Sequence, residues 1–105
     1  MPYGVWLSEE AAEDRENLSE EQERKLLWWR DRLKQDVTVG DHIRKSQIPS
    51  ALREKYGINN LWRLELPEEW RILYTIASRP AGNPVVIILR ILSHKHYDRL
   101  FGYTS

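Results

Sequence analysis

Two neighbouring runs of alternating apolar and charged residues constrain the fold of this chain more than any other feature. Residues 61–66 read LWRLEL and residues 70–76 read WRILYTI, with only three residues between them. In the first run the apolar side chains alternate with Arg63 and Glu65, and in the second Arg71 takes the matching charged position. A period of two is the pattern of a β-strand whose side chains point to opposite faces of a sheet. The two runs therefore predict a β-hairpin with one apolar face and one charged face.

The short connection also predicts how the two strands pair. If residues 67–69 form a three-residue loop, Glu65 faces Arg71 on the charged side of the hairpin. The apolar pairs on the other side are then Leu66 with Trp70, Leu64 with Ile72, and Trp62 with Tyr74. An exposed pair of opposite charges contributes only about 0.2–1 kcal/mol to stability. Pairing with Glu65 is therefore a weak reason for an arginine at position 71, and a functional role is favoured.

The length and composition limit the class of protein. A chain of 105 residues forms one domain, residues 1–105, which can bury roughly two thirds of the surface that the unfolded chain exposes. It contains no cysteine, which excludes disulfide frameworks, thiolate zinc sites and cysteine nucleophiles. No basic segment followed by an apolar run opens the sequence, and the apolar run at residues 85–89 is far too short to span a bilayer. We expect a soluble cytoplasmic protein with no membrane partner.

The net charge of zero conceals a strong asymmetry along the chain. Residues 1–23 hold eight Asp or Glu side chains and a single base, Arg15, which gives them a net charge of −7. Because the whole chain is neutral, the remaining residues carry +7, and they also contain all three histidines. A positive surface is expected of a protein that binds phosphate groups. Acidic residues that favour helix N-termini would give the same asymmetry in a protein without such a surface.

Helix-start signals place two helices in the first third of the chain. Ser8 can cap a helix that begins with two glutamates, and Ser19 with Gln22 forms a capping-box pattern. The second helix is predicted over residues 20–35, where apolar residues recur at helical spacing. A short strand at residues 3–7 precedes both helices, and the short link between them favours a two-helix hairpin.

The order of the remaining elements predicts the fold class. Residues 36–47 lack periodicity and are expected to form a loop, and residues 49–57 predict a short helix between Pro49 and Gly57. The almost continuous apolar run at residues 85–92 is typical of a central strand covered on both faces. The order β-α-α-β-β-β predicts an α+β fold, with an N-terminal strand and a two-helix hairpin packed on one face of a small antiparallel sheet. The other face of the sheet, or its edge, would be left for function.

Two motifs in the second half of the chain resemble the RelE/ParE superfamily of toxins from bacterial and archaeal toxin–antitoxin systems. Residues 70–74, WRILY, are similar to the aromatic-Arg-apolar-apolar-Tyr strand of that family. Residues 94–98, HKHYD, are similar to the His-x-x-Tyr-Asp pattern of its RelE- and HigB-type branch. The resemblance implies a RelE-like fold, and it covers most of the chain.

The same resemblance implies a toxin that inhibits translation by cutting mRNA, commonly in the ribosomal A site, and a cognate antitoxin that holds it inactive. RNA carries a 2′-hydroxyl beside each scissile phosphate, so an enzyme can cleave it without a metal or another cofactor. The enzyme must take the proton of that hydroxyl, stabilise the charge on the phosphorane and protonate the leaving 5′-oxygen. Arginine and histidine are suited to these tasks.

The arginines and Glu65 are the first candidates for this chemistry. Arg71 is expected to stabilise the phosphate charge, because a guanidinium stays charged and binds two oxygens through its planar fork. Arg63 lies on the same face and is expected to contact the RNA backbone, although a solvated sheet face explains it equally well. Glu65 is a candidate general base, as in family members that use a glutamate. RelE-type toxins are usually strongly basic, and this neutral chain departs from that pattern.

The histidines are the candidates for proton transfer, because this side chain titrates near neutral pH. If the backbone stays extended after the last strand, His94 and His96 point to the same side. A helical turn would instead bring His94 next to Tyr97 and Asp98. The family pattern favours His94, with Tyr97 as a packing or hydrogen-bonding residue. Histidine and tyrosine at a strand end are also common in purely structural roles.

Further residues complete the site implied by the resemblance. Tyr103 is similar to the terminal tyrosine that RelE-like toxins use to stack on a base or to move a proton, and an idle residue at a frayed end is the alternative. The implied catalytic residues are Arg71, His94, Tyr97, Tyr103 and Glu65. The implied RNA-binding residues are Arg63, Lys95, His96 and Arg99. No metal site is expected, because only Asp98 is spaced to join the two histidines.

Two other functions fit the same fold. One is a ParE-like inhibitor of DNA gyrase, which acts by binding and needs no catalytic residues. The other is a degenerate toxin that binds an antitoxin but no longer cuts RNA. If the protein is a toxin, we expect a separate antitoxin, because the chain has no additional segment that could inhibit it. The antitoxin is expected to place an amphipathic helix on an apolar groove or to cover the basic site.

Overall fold

The computed structural model of the protein describes residues 4–78 and 82–103. Its strands are β1 (Gly4–Leu7), β2 (Asp41–Ile43), β3 (Leu61–Leu66), β4 (Trp70–Ala77) and β5 (Val85–Leu92). Its helices are α1 (Glu9–Arg15), α2 (Glu20–Gln35), α3 (Ser50–Tyr56) and α4 (His94–Phe101). The predicted α+β class is confirmed, and β2 and α4 are additions to the predicted order.

The strands form a single sheet in the order β1-β5-β4-β3-β2. Strands β2, β3, β4 and β5 pair antiparallel with their neighbours, whereas β1 pairs parallel with β5. The three consecutive strands β3, β4 and β5 form the predicted antiparallel sheet, whereas the sequence does not predict how the N-terminal strand pairs. Two successive antiparallel reversals leave β5 running in the same direction as β3, and β1 joins it in that direction.

The hairpin of β3 and β4 has the predicted register. Glu65 lies opposite Arg71, and the three apolar pairs on the other face are those expected from the alternation. The connection is the predicted three-residue turn, in which Glu68 and Glu69 have positive φ angles of 64° and 62°. Residues with side chains rarely adopt this left-handed conformation, so the turn is specified by the pairing of the strands and not by a glycine signal.

The helix signals of the first third are confirmed. The Ser8 side chain accepts a hydrogen bond from the Ala11 amide at the start of α1. Ser19 and Gln22 form the reciprocal capping box of α2, which spans Glu20–Gln35 as predicted. α3 ends at Gly57, whose φ of 64° closes the helix in the left-handed conformation.

The sheet is covered on both faces, which corrects the expectation of helices on one face only. Helices α1 and α2 pack on one face, around a core that contains Ala11, Leu26, Leu33, Leu64, Ile72, Tyr74, Val86 and Ile88. Helices α3 and α4 pack on the other, around Leu52, Leu61, Leu73, Leu89, Leu92 and Tyr97. The second core exists because the face that carries the arginines is apolar in its central part. The charged side chains are thereby confined to the margin of this face.

None of the helices formed by residues 4–78 and 82–103 has both the length and the apolar character required to cross a membrane.

Tyr74 of β4 is fully buried, and its hydroxyl group connects the sheet to the segment that precedes β2. Its hydroxyl donates a hydrogen bond to the Val37 carbonyl at 2.8 Å and accepts one from the Gly40 amide at 3.1 Å. A Cβ at Gly40 would stand 2.8 Å from this hydroxyl, so only glycine fits the approach. Burial raises the pKa of Tyr74 to about 12.

We expect Tyr74→Phe to lower the free energy of unfolding by about 1–2 kcal/mol at pH 8, because two partly buried backbone groups lose their partner. The phenol must be neutral in the folded state. Its contribution is therefore complete below pH 10, the ordinary tyrosine value, and is lost as the pH rises towards 12. Urea unfolding should show a smaller difference in the free energy of unfolding between Tyr74→Phe and wild type near pH 11 than at pH 8. Tyr103→Phe, an exposed position, is the control, and a difference that stays constant with pH would contradict the account.

Candidate functional site

Arg63 on β3 and Arg71 on β4 lie on the face covered by α4, with the Glu65 carboxylate between them. Glu65 Oε1 is 3.6 Å from Arg63 Nε, and Glu65 Oε2 is 3.4 Å from Arg71 Nε. The strand register causes this arrangement, because Glu65 is directly opposite Arg71 and two residues from Arg63. A single carboxylate thus faces two guanidinium groups, each of which can bind a phosphate oxygen.

Tyr97, a residue of α4, contacts the guanidinium groups of both Arg63 and Arg71. Its hydroxyl oxygen lies 3.1 Å from Arg63 Nη1, which donates a hydrogen bond, and the Arg71 guanidinium carbon lies 5.0 Å from its ring centroid. Burial raises the pKa of Tyr97, against the opposing effects of Arg63 and Arg71, so the phenol is protonated at neutral pH. Tyr97 is therefore placed to position the arginines and not to act as a base. We call Arg63, Glu65, Arg71 and Tyr97 the arginine cluster.

Asp41 on β2 adds a second carboxylate to the edge of the arginine cluster. Its Oδ2 accepts a hydrogen bond from Arg63 Nη2 at 3.2 Å, and its side chain is largely exposed. Residues 36–47 were expected to form a loop, and this contact exists because residues 41–43 pair with β3 instead. The sequence offered little signal for Asp41, since a three-residue edge strand with two polar residues has no recognisable alternation.

His94 begins α4 and pairs with Asp98 one turn later. His94 Nε2 lies 3.1 Å from Asp98 Oδ2, and the imidazole is about half exposed. A carboxylate at Nε2 holds a proton on that nitrogen and leaves Nδ1 as an acceptor, the form that a general base requires. His94 and Tyr97 are neighbours on the helix surface because they are three residues apart. Of the two backbone conformations that the sequence left open after the last strand, extended and helical, the structure has the helical one.

His96 does not share the side of His94, which corrects the expectation for an extended backbone. The Ser93 side chain caps α4, so the two histidines lie on different sides of a helix. His96 Nδ1 is 3.1 Å from Ser93 Oγ, and the imidazole lines a cleft of about 270 Å³ that also contains Asp14 and Arg90. His96 therefore belongs to a different surface from the arginine cluster.

Two further aromatic rings, Phe101 and Tyr103, continue from Tyr97 along α4 and just past its end. The ring centroids of Tyr97 and Phe101 are 4.4 Å apart, and that of Tyr103 is 5.7 Å from Phe101. Gly102, with a φ of 75°, turns the chain so that the Tyr103 amide bonds to the Asp98 carbonyl at 2.8 Å. Tyr103 is about half exposed and lies over the other rings. An exposed aromatic ring of this kind can stack on a nucleic-acid base.

Lys95 and Arg99 are exposed on α4, four residues apart. Within the part of the chain that the structure describes, neither makes an ion pair or a hydrogen bond to the arginine cluster.

The donor atoms of the arginine cluster are incompletely used. Among the described residues, Arg63 Nε and Arg71 Nε are buried without a hydrogen-bond acceptor. The Glu65 oxygens face them at distances longer than an ordinary N–H···O bond. Both arginines therefore keep an unused N–H donor beside Glu65. Residues 4–78 and 82–103 contain no group of three or more His, Cys, Asp or Glu side chains that could hold a metal ion.

No protein-family model matches this chain, and no curated protein matches it in sequence. The fold, however, is similar to a chain in the crystal structure of the archaeal RelE–RelB complex from Pyrococcus horikoshii OT3. The TM-score is 0.59 and the sequence identity 20%, with 90% of this chain and 97% of that chain covered. The protein therefore has the RelE-like fold that the sequence motifs predicted.

Proposed function

We propose that this protein is the toxin of a toxin–antitoxin pair and inhibits translation by cutting mRNA at the arginine cluster, without a metal ion. The observation that carries the proposal is that Tyr97 contacts both Arg63 and Arg71, and that both arginines lie against the single exposed carboxylate of Glu65. The RelE-like fold supports the toxin assignment. The similar structure is a complex of RelE with RelB, and a cognate antitoxin is proposed here on that basis.

In the proposed reaction, Arg71 and Arg63 bind the oxygens of the scissile phosphate. Their charges stabilise the phosphorane as negative charge develops on it, which is the most effective way to lower such a barrier. Tyr97 touches both arginines and fixes their spacing, so we assign it a positioning role.

We assign removal of the 2′-hydroxyl proton to His94, which acts as the general base. Asp98 orients the imidazole, as a carboxylate does for a histidine base in other enzymes. Loss of this proton lets the 2′-oxygen attack phosphorus, and the bond from phosphorus to the 5′-oxygen breaks. The leaving 5′-oxygen takes a proton from water, and His94 then returns its own proton to the solvent. The products are a 2′,3′-cyclic phosphate and a 5′-hydroxyl end. Tyr103 would stack on a neighbouring base and hold the strand in place.

The end chemistry of the products tests this mechanism. A defined mRNA on ribosomes is incubated with the purified protein, and the fragments are offered to polynucleotide kinase without prior phosphatase treatment. The proposal requires 5′-hydroxyl ends, which accept label directly. Fragments with 5′-phosphate ends would show hydrolysis by water and contradict the attack by the 2′-hydroxyl.

The two histidines provide a matched pair of variants. We expect His94→Ala to reduce the cleavage rate by about 10²–10⁴-fold, the range for loss of a general base. His96→Ala should change the rate by no more than a few-fold, since His96 lines a separate cleft. The measurement is single-turnover cleavage, with thermal unfolding as a check on folding. Equal effects of the two substitutions would contradict the assignment of His94.

The antitoxin proposal has a direct test as well. Co-expression with the small protein encoded next to this chain should give a stable complex and restore translation. Failure of that protein to co-purify, or to relieve inhibition, would contradict a cognate antitoxin.

A further inference from the structure

Glu65 is in contact with both arginines but is bonded well to neither. Each of its oxygens lies 3.4–3.6 Å from a buried Nε group, and within the described chain those groups have no hydrogen-bond acceptor. Buried donors without an acceptor are uncommon in folded proteins and are unfavourable. The Glu65 side chain is 52% exposed, so it can leave without disturbing the core. The contact is therefore an ion pair that a better acceptor can replace.

The guanidinium groups do not depend on Glu65 for their positions. Arg63 also bonds Tyr97 and Asp41 through its two amino groups. Arg71 donates to the Glu69 carbonyl from Nη1 at 2.6 Å and lies over the Tyr97 ring. Withdrawal of the Glu65 side chain would leave both arginines in place, with both Nε groups open to a new ligand.

We propose that Glu65 is an internal substitute for phosphate, which occupies the arginine cluster until the phosphate group of a ligand displaces it. A tetrahedral phosphate offers more acceptor oxygens than a carboxylate and can supply the acceptors that both Nε groups lack. The protein alone then binds inorganic phosphate at the cluster, and Glu65 weakens that binding. The identity of the natural ligand as RNA rests on the function proposed above, whereas the phosphate site itself does not.

This role differs from that of a general base in a measurable way. If Glu65 competes with phosphate, its neutralisation tightens phosphate binding. If Glu65 were a general base, its neutralisation would also lower the cleavage rate, which loss of a competitor for phosphate does not do. Glu65→Gln separates the two, because it keeps the size of the side chain and removes the charge.

The test is a titration of the full chain with inorganic phosphate, followed by NMR at the Nε–H signals of Arg63 and Arg71. In the wild type both signals should shift together on binding. In Glu65→Gln the dissociation constant should fall by about tenfold, the effect of losing two partly exposed ion pairs that phosphate must break. Glu13→Gln is the matched control, since Glu13 is an exposed carboxylate on α1, on the opposite face of the sheet. Its affinity should stay within about twofold of wild type.

Two results would overturn the proposal. One is a phosphate affinity in Glu65→Gln that is no tighter than in Glu13→Gln, and the other is a wild type in which phosphate shifts neither signal. Glu65→Ser, with the same expected direction, replaces Glu65→Gln if that variant does not fold. Absence of RNA cleavage would contradict the proposed function and leave the phosphate titration valid. Unchanged phosphate affinity would contradict the role of Glu65 and leave the cleavage result valid.

Discussion

Arg71→Ala is expected to reduce the rate of RNA cleavage by about two to three orders of magnitude. The guanidinium of Arg71 is fixed by the Glu69 carbonyl and the Tyr97 ring, so it needs no rearrangement to meet a phosphate. Loss of one preorganised donor at developing negative charge typically has an effect of this size. Arg71→Lys keeps the charge but loses the planar fork, and should fall between Arg71→Ala and wild type. The rates are measured under single-turnover conditions on one mRNA.

A charge-matched control separates local chemistry from general attraction to RNA. Arg24→Ala removes an exposed arginine of α2, on the other side of the sheet, and should alter the rate by no more than about threefold. Thermal unfolding of each variant identifies any loss of fold. If the Arg71→Ala protein cut RNA as fast as the Arg24→Ala protein, Arg71 would have no role in the reaction.

Asp14→Ala is expected to give the largest loss of stability, about 2–4 kcal/mol in the free energy of unfolding. Asp14 Oδ2 accepts from Arg90 Nε at 2.7 Å and from the Ile91 amide at 2.9 Å, and Oδ1 accepts from Arg90 Nη2 at 3.0 Å. The Asp14 side chain is only 15% exposed. Its removal leaves a half-buried guanidinium and a backbone N–H without acceptors, each of which is unfavourable.

The position of Asp14 is explained by an irregularity in β5. The register of β4 with β5 shifts between Leu73 and Tyr74, which pair with Arg90 and Ile88 and leave Leu89 without a counterpart on β4. The Asp14 carboxylate lies beside this shift and joins α1 to the sheet. Asp14→Asn should retain the bond to Ile91 and lose part of the stability. Asp31→Ala, at an exposed pair with Arg30, should cost no more than about 0.5 kcal/mol. Chemical denaturation measures all three, and a loss below 1 kcal/mol for Asp14→Ala would contradict the account.

The parts of the fold that depend on neighbouring residues could be predicted from the sequence. The register of Glu65 with Arg71 follows from an alternation of period two and a three-residue connection. The start of α2 follows from Ser19 and Gln22, because a capping box is a local signal.

The parts that depend on distant residues could not be predicted. Asp14 and Arg90 are far apart in the chain, and neither position carries a local pattern for their pairing. The parallel pairing of β1 with β5 is equally non-local. Helix α4 is a different case, since Ser93 and Gly102 are the start and stop signals that could have identified it.

At the candidate site, the sequence predicts which strand residues share a face, and it does not predict the contacts that surround them. Arg63, Glu65 and Arg71 were expected on one face because alternation assigns them there. The contact of Tyr97 with both arginines requires the docking of α4, which no sequence pattern specifies. His96 is predicted to bind RNA and His94 to take part in catalysis, and the helical backbone of α4 places the two on different sides. The roles of all these residues in catalysis and RNA binding stay predictions.

The central claim is that this protein cuts mRNA, and primer extension in a translating extract tests it most directly. Purified wild-type protein is added to the extract beside Arg71→Ala and His94→Ala, and the 5′ ends of one abundant mRNA are mapped. We predict new ends at fixed positions within codons, present with the wild type and absent with both variants. An mRNA that stays intact while translation continues, with folded wild-type protein present, would contradict the claim. The RelE-like fold would then serve gyrase inhibition or antitoxin binding alone.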